Sequence, residues 1–442
     1  MSDWKKYYDS HLCTAEEAVH IIKNGDELVF GHCIGEPQVI IDALLKNASL
    51  FHDVTIHQQY TIGDASYTSA KYEGNFRFNG WFLTPATMNC VTEGRGDVTP
   101  NHYFKTTEYF DQDLFHCDVA VVMAAPPNAH GLFCTGVSCD HTMDAVRHAD
   151  RIIVQVNENM PVTYGDTYFP VEMADRIVEA NQPLNQFLPP HYGNLGDEDL
   201  AIGEYCASLI PDKATVSIGV GRIPDAVCYC LKNKHELGVF TDMFSDGMMD
   251  LYLNGNITNE HCTTDQNVMV TAFVMGSNKL YDFVNRNPVV RFMPASYVNN
   301  TFRLASQSNM CIVNSAVSVD LQGQIVSASI GELQLSGVGG QPSLNRGATM
   351  SLDRKGKSII AMASTVKDFS GNLVSKIVPF INPGSEVTLN REDASYIVTE
   401  NGIAYLKGKS LEDRSRALIS IAHEKFRDEL IEEFEKRYHT KF

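Results

Sequence analysis

One acidic side chain set in a greasy run is the first residue here with chemistry to offer. In Gly238-Val239-Phe240-Thr241-Asp242-Met243-Phe244-Ser245-Asp246-Gly247, residues Val239 to Phe244 are mostly apolar and β-prone, and Ser-Asp-Gly is a turn or cap signal. At a strand end Asp242 would project into a cleft with little local water to solvate it. Two readings stand: an Asp that caps or pairs at a strand-to-loop edge, or a carboxylate used as a covalent nucleophile. Two glycine-rich loops flank it in sequence, Gly219-Val220-Gly221 and Ser336-Gly337-Val338-Gly339-Gly340-Gln341. Such loops let a backbone approach a ligand and aim N–H groups at developing negative charge, although each taken alone is more often a plain turn. Neither has the G-x-G-x-x-G spacing or a Walker lysine, so both nucleotide motifs are excluded.

Composition narrows the classes. At 442 residues the chain exceeds one ordinary core, and two or three domains are expected. A hydrophobic content of 44% with 20% charged residues is that of a folded soluble protein rather than a disordered one. The formal charge of −19 argues against nucleic acid, which needs a basic face. It leaves room for an anionic small ligand held by a few local cations and backbone N–H groups. The N-terminus leads into no signal-peptide core and no apolar run approaches ~20 residues, so a cytoplasmic, membrane-free protein is expected. Eleven cysteines, scattered and without a CxxC pair, read as free buried thiols in a reducing compartment, and no metal site is expected.

The elements that must position Asp242 follow an alternating pattern. Thr14-Ala15-Glu16-Glu17 is a capping box for a helix to about Lys23; a strand from Glu27 to Gly31, the small-residue loop His32 to Pro37 and a helix from Gln38 to Lys46 follow. The same order returns later as a strand from Ala214 to Ile218, the loop Gly219 to Pro224 and a helix from Asp225 to Lys232. Placing Pro37 on Pro224 aligns the two strands, a weak self-similarity consistent with two related halves. Further strands are expected at Asp118 to Ala125, Arg151 to Val156, Cys311 to Val319, Lys357 to Ala363 and Tyr396 to Thr399, with a capped C-terminal helical region from Ser410. The segment Asn181 to Gly196, rich in Pro and Asn, reads as a linker. Two tandem open α/β domains with mainly parallel sheets are therefore expected, at 1–190 and 198–442.

Taken together, the blocks Pro126-Pro127 to Gly136, Gly219-Val220-Gly221 through Val227, Ser245-Asp246-Gly247, Gly337 to Gln341, Arg346-Gly347-Ala348, Ser375 to Pro379 and Leu406 to Leu411 resemble the acetyl-CoA hydrolase/transferase family, and within it the 4-hydroxybutyrate CoA-transferases. The resemblance implies an active site in the inter-domain cleft and ping-pong transfer of CoA from a short-chain acyl-CoA to a carboxylic acid. A side-chain carboxylate becomes in turn a mixed anhydride and an enzyme–CoA thioester. By carry-over Asp242 is the nucleophile, and Val220, Gly339 and Gly340 stand near the oxyanion. Gly219, Gly221, Ser336, Gly337, Gln341, Arg346 and Lys376 are expected to contact CoA, with Lys407 a further cation. CoA is thus a substrate, no permanently bound cofactor is implied, and a homodimer is usual.

The sequence departs from the family pattern at four points. Asp242 stands where the family has Glu and Ser217 where close relatives have Gln, while Asn401 for Tyr and Glu424 for Pro are peripheral. Asp sets the carboxylate back by roughly 1.5 Å, a bond length. Three consequences are expected: weaker transfer, room for water and hence acyl-CoA hydrolysis, and exposure of an activated Asp242 carbonyl to the Met243 nitrogen in a five-membered ring. Loss of turnover, leaving a CoA-binding protein, is the remaining alternative.

Overall fold

The computed structural model describes residues 4–188, 194–219, 221–368 and 370–442. Two open parallel sheets dominate. The first runs in the order Arg176–Glu179, Arg151–Val156, Val119–Ala124, Glu27–Phe30, Val54–Gln58, Phe76–Gly80, Gly96–Val98, every pairing parallel. The second runs Gly238–Val239, Thr215–Ile218, Met310–Asn314, Lys357–Ala361, Tyr396–Thr399, Gly402–Tyr405, parallel except for its last pair. Strands covered on both faces read as unbroken apolar runs, and Val119–Ala124 is buried at every position.

The two strands that the internal similarity aligned hold equivalent places. Glu27–Phe30 lies between the next strand in sequence, Val54–Gln58, and Val119–Ala124. Thr215–Ile218 lies between the next strand, Gly238–Val239, and Met310–Asn314. Each therefore marks the point where strand order reverses, the place at which open α/β sheets open a crevice beyond the carboxyl ends of their strands. The loop from His32 leaves the first crevice, and the loop from Gly219 leaves the second.

Local differences from expectation have local causes. The capping box forms, with the Glu17 N–H donating to Thr14 Oγ1 at 3.2 Å and the Thr14 N–H to the Glu17 carboxylate at 2.9 Å. The helix nevertheless ends at Val19, where the β-branched Val19, Ile21 and Ile22 accompany a next turn tightened into i→i−3 bonds. The second helix of the repeated unit starts earlier than expected, spanning Arg222–Cys230 after an N-cap at Gly221, whose φ of +123° suits glycine. Residues 311–319 are not one strand: Asn314 and Ser315 are weak strand formers, and Ser318–Asp320 joins a separate small sheet with Ile325–Val326 and Ile377–Val378. The apolar run around Asp242 is likewise split, Gly238–Val239 belonging to the second large sheet and Met243–Phe244 pairing with Phe273–Val274. Part of the expected linker, 189–193, lies outside the described residues. Its described part, 181–188, has neither helix nor strand and packs back through the Phe187 N–H to Gly276 O at 2.9 Å.

The halves are sewn together beside Asp242. Ser138 bridges to Phe273, the Cys139 N–H donates to Ala272 O at 2.9 Å, and the Val274 N–H donates to Val137 O at 2.9 Å. A second seam pairs Tyr164–Gly165 with Arg291–Phe292. Gly165, at φ +130°, is required there because any Cβ would strike the Phe292 carbonyl. The largest apolar cluster accordingly contains Val29 and Val122 of the first sheet with Val216 and Val313 of the second. No described helix is long and apolar enough to cross a membrane.

Candidate active site

Asp242 sits at this seam, in the turn between two short strands. Its main-chain carbonyl accepts from the Ala272 N–H at 2.9 Å, the Phe273 N–H at 3.0 Å and Thr271 Oγ1 at 3.0 Å. Beneath it Ser217 Oγ and Thr241 Oγ1 share a hydrogen bond of 2.9 Å, so the short residue at 217 is spent on positioning the turn. The residue keeps some open surface, but its carboxyl group is enclosed by protein. Asn299 Nδ2 donates to Oδ2 at 2.9 Å and the Met243 N–H donates to Oδ1 at 2.9 Å. Burial pushes the carboxyl above the usual range, against the pull of the Asn299 amide, the Met243 N–H and the His32 ring.

The second glycine loop closes over this carboxylate. A Cβ on Gly340 would collide with Asp242 Oδ2 and with Asn299 Nδ2, so only glycine fits. Gly340 is also the N-cap of the helix Gln341–Thr349, so the positive end of a helix begins beside the carboxyl group. Gly339, at φ +55°, abuts the Phe82 ring, and its carbonyl accepts from the Tyr103 N–H at 3.3 Å. Gly337 rests on the Trp81 carbonyl. The loop from the second half is thus clamped by Trp81, Phe82 and Tyr103 of the first.

The other expected contacts divide. Val220 lies outside the described residues, while Gly219 ends its strand with an N–H to Val313 O at 3.3 Å and Gly221 caps the following helix. Ser336 Oγ donates to the neighbouring Gly337 O. The Gln341 side chain is used internally, donating to Ser315 O at 2.7 Å and accepting from Thr388 Oγ1 at 2.8 Å. Arg346 lines the groove described below, yet its guanidinium is engaged by Asp393 at 2.8 and 2.9 Å. Burial pushes the Lys376 amine down to about 8, with Glu400 opposing. Lys407 lines a separate cavity with Pro211 and Tyr396.

A cavity of about 990 Å³ leads to the glycine loop between the two halves. His102, Phe104 and Lys105 line it on one side, and Phe302, Val338 and Arg346 on the other. Phe302 is 78% exposed, an apolar ring held at the mouth of this groove.

Residues that sequence reasoning missed come from the first crevice. His32 Nδ1 and Asp140 form a short hydrogen bond, and Asp140 also accepts from Ser138 Oγ at 3.0 Å and from the Thr142 N–H at 3.0 Å. Burial alone would raise the Asp140 carboxyl, but the His32 and His141 rings and these donors hold it well below the usual range. His141 is pushed down to about 4, chiefly by burial, with its Nδ1 standing 3.4 Å from Asp140 Oδ1. His32 packs edge-on against Phe273 at 4.6 Å between centroids, next to the residue whose N–H holds the Asp242 carbonyl. The ligand atoms of His32, Asp140 and His141 lie within 4.8 Å of one another, a spacing that would accept a cation. The signal for His32 was present: its loop occupies the place of Gly219–Gly221 in the repeated unit. Asn299 carried no such signal.

The second glycine loop and the walled-in carboxylate beneath it lie at the seam between the halves, and the chain that carries them has known relatives. Residues 1–189 match the acetyl-CoA hydrolase/transferase N-terminal domain and residues 276–434 its C-terminal domain. The chain is 44% identical over 436 residues to a 4-hydroxybutyrate coenzyme A transferase of Clostridium kluyveri, covering 99% of this chain and 100% of that one. It belongs to the acetyl-CoA hydrolase/transferase family. This family member is also 36% identical to a butyryl-CoA:acetate CoA-transferase of Anaerostipes caccae, covering 98% of each chain. The crystal structure of RipA from Yersinia pestis superposes with a TM-score of 0.92 at 31% identity over 99% of both chains. The acetyl-CoA hydrolase/transferase family is one of enzymes.

Proposed function

We propose that this chain is an acyl-CoA:carboxylate CoA-transferase acting on short-chain acyl groups, with Asp242 as its covalent nucleophile. The carrying observation is the packing of Gly340, at a helix N-terminus, directly on the Asp242 carboxyl group. The carboxylate attacks the thioester carbon, and the tetrahedral oxyanion forms beside N–H groups of the Gly339–Gly340 loop. One such donor is worth about 2.7–4 kcal/mol in a closed site. CoA leaves as the thiolate, attacks the Asp242 carbonyl of the mixed anhydride and expels the first carboxylate. The enzyme–CoA thioester then runs the same two steps in reverse on the second acid. Gly219, Gly221, Arg346 and Lys376 are assigned to CoA and Val220 to the oxyanion by family carry-over, and a homodimer is part of the proposal.

Both relatives named above carry CoA between acids of low molecular weight, which supports the short-chain assignment. Acyl-CoA hydrolysis is the second reading. Asp242 is drawn back onto Met243 and Asn299, which shortens its reach and leaves space for water at an activated carbonyl. CoA release from butyryl-CoA and acetyl-CoA, with and without an added carboxylic acid, decides between them. Exchange that requires the acid supports transfer; steady release without it supports hydrolysis; neither, with tight CoA binding retained, overturns both.

A further inference from the structure

The peptide nitrogen that follows Asp242 already stands on that residue's own carboxyl group. The Met243 N–H donates to Oδ1 at 2.9 Å, which holds the nitrogen beside the carboxyl group that it would join in a five-membered ring. The oxygen of the same peptide group accepts from three donors, the Ala272 and Phe273 N–H groups and Thr271 Oγ1, at 2.9 to 3.0 Å. Deprotonating a peptide nitrogen moves negative charge onto that oxygen. Two fixed N–H donors are arranged to stabilise it, as in an oxyanion site, with the Thr271 hydroxyl shared between this oxygen and Phe273 O. Both halves of a ring closure, a positioned nucleophile and a stabilised charge, are therefore built into this turn.

We propose that the Asp242–Met243 linkage is a self-modification site, where the enzyme–CoA thioester closes to a succinimide and releases CoA. The proposal rests on the covalent reading given above. In the closing step the Met243 nitrogen forms a bond to Asp242 Cγ, the Cγ–S bond breaks, and the nitrogen's proton leaves with the sulfur as CoA thiol. No redox partner is needed. Water then opens the imide. Addition at Cγ restores Asp242 and completes a thioester hydrolysis. Addition at the main-chain carbonyl, the one polarised by Thr271, Ala272 and Phe273, leaves an isoaspartyl linkage and a chain whose nucleophile is lost. Glutamate at this position would have to close a six-membered ring, so the activity belongs to the shorter side chain.

The test uses the full-length enzyme turning over acetyl-CoA, quenched in acid, digested and mapped by mass spectrometry, with a parallel sample reduced by borohydride. The expected result is an Asp242 peptide lighter by one water, growing with turnover, followed by an isoaspartyl peptide detected by isoaspartyl methyltransferase labelling as activity declines. Asp242→Glu should hold the imide at background. Met243→Gly should raise imide per turnover several-fold and Met243→Val should lower it, since the side chain on the attacking residue crowds the ring. A borohydride-reduced Asp242 without imide or isoaspartate after extended turnover overturns the proposal and leaves the covalent reading intact. Turnover with neither a reduced Asp242 nor an imide overturns both. Equal imide in the absence of acetyl-CoA, or the same yield in Met243→Gly, wild type and Met243→Val, overturns the ring closure from the thioester.

Discussion

Asp242 carries opposing demands on one carboxyl group: burial favours its neutral form, while attack on a thioester needs the carboxylate. Because burial raises its pKa in the folded state, ionisation destabilises the fold. The stabilising contribution is fully present below the ordinary aspartate pKa and is lost as pH rises through the raised one. Two outcomes follow. The acid limb of kcat/KM should lie above the ~3.9 of a free aspartate, read from a pH–rate profile. Asp242→Asn should raise Tm at neutral pH, measured by calorimetry, while lowering CoA transfer by on the order of 10⁴-fold. A variant that is both inactive and less stable would place Asp242 in a structural ion pair instead. Asp242→Glu should shift the ratio of transfer to hydrolysis toward transfer by about 10- to 100-fold, since a displacement of ~1 Å costs a rate factor of this size.

At the scale of elements, the site depends on a helix start and a strand-end dyad. Gly340→Ala would force Asp242 Oδ2 and Asn299 aside, so transfer should fall about 100-fold or more in an exchange assay with a loss of only about 1–3 kcal/mol in stability by denaturant titration. Retained transfer would remove the helix Gln341–Thr349 from catalysis. Asp140→Asn should cost about 1–3 kcal/mol, because an NH2 replaces one accepting oxygen and leaves either the buried His32 nitrogen or the Thr142 N–H without its acceptor. Since the folded Asp140 is held below the usual range, its stabilisation is present above the ordinary aspartate pKa and fades as pH falls toward the lowered one. The gap between wild type and variant should therefore narrow in acid melts.

Elements were also where the sequence was most legible. Val119–Ala124, an unbroken apolar run, and the Thr14–Glu17 capping box announce themselves because their signals are local. The division of residues 239–244 between two sheets was hidden, because pairing partners such as Phe273 lie far along the chain. Asp242 and the Gly339–Gly340 loop could be matched to a family pattern. His32, Asp140 and Asn299 could not, since their meaning comes from the packing of one half on the other.

For the whole molecule, the strand contacts at Ser138–Phe273 and Tyr164–Arg291, together with an apolar core shared by both sheets, bind the halves into one cooperative unit. Calorimetry should give a single unfolding transition, and two resolved transitions would mean that the seam contributes little. In the proposed reaction the groove between the halves would deliver a thioester toward the glycine loop that covers the Asp242 carboxyl group. The most direct measurement is the mass of the acid-quenched protein after mixing with acetyl-CoA, followed by peptide mapping. Covalent catalysis predicts an adduct of CoA less one water confined to the peptide bearing Asp242 and absent from Asp242→Asn. Full turnover with Asp242 unmodified at every quench time would contradict it.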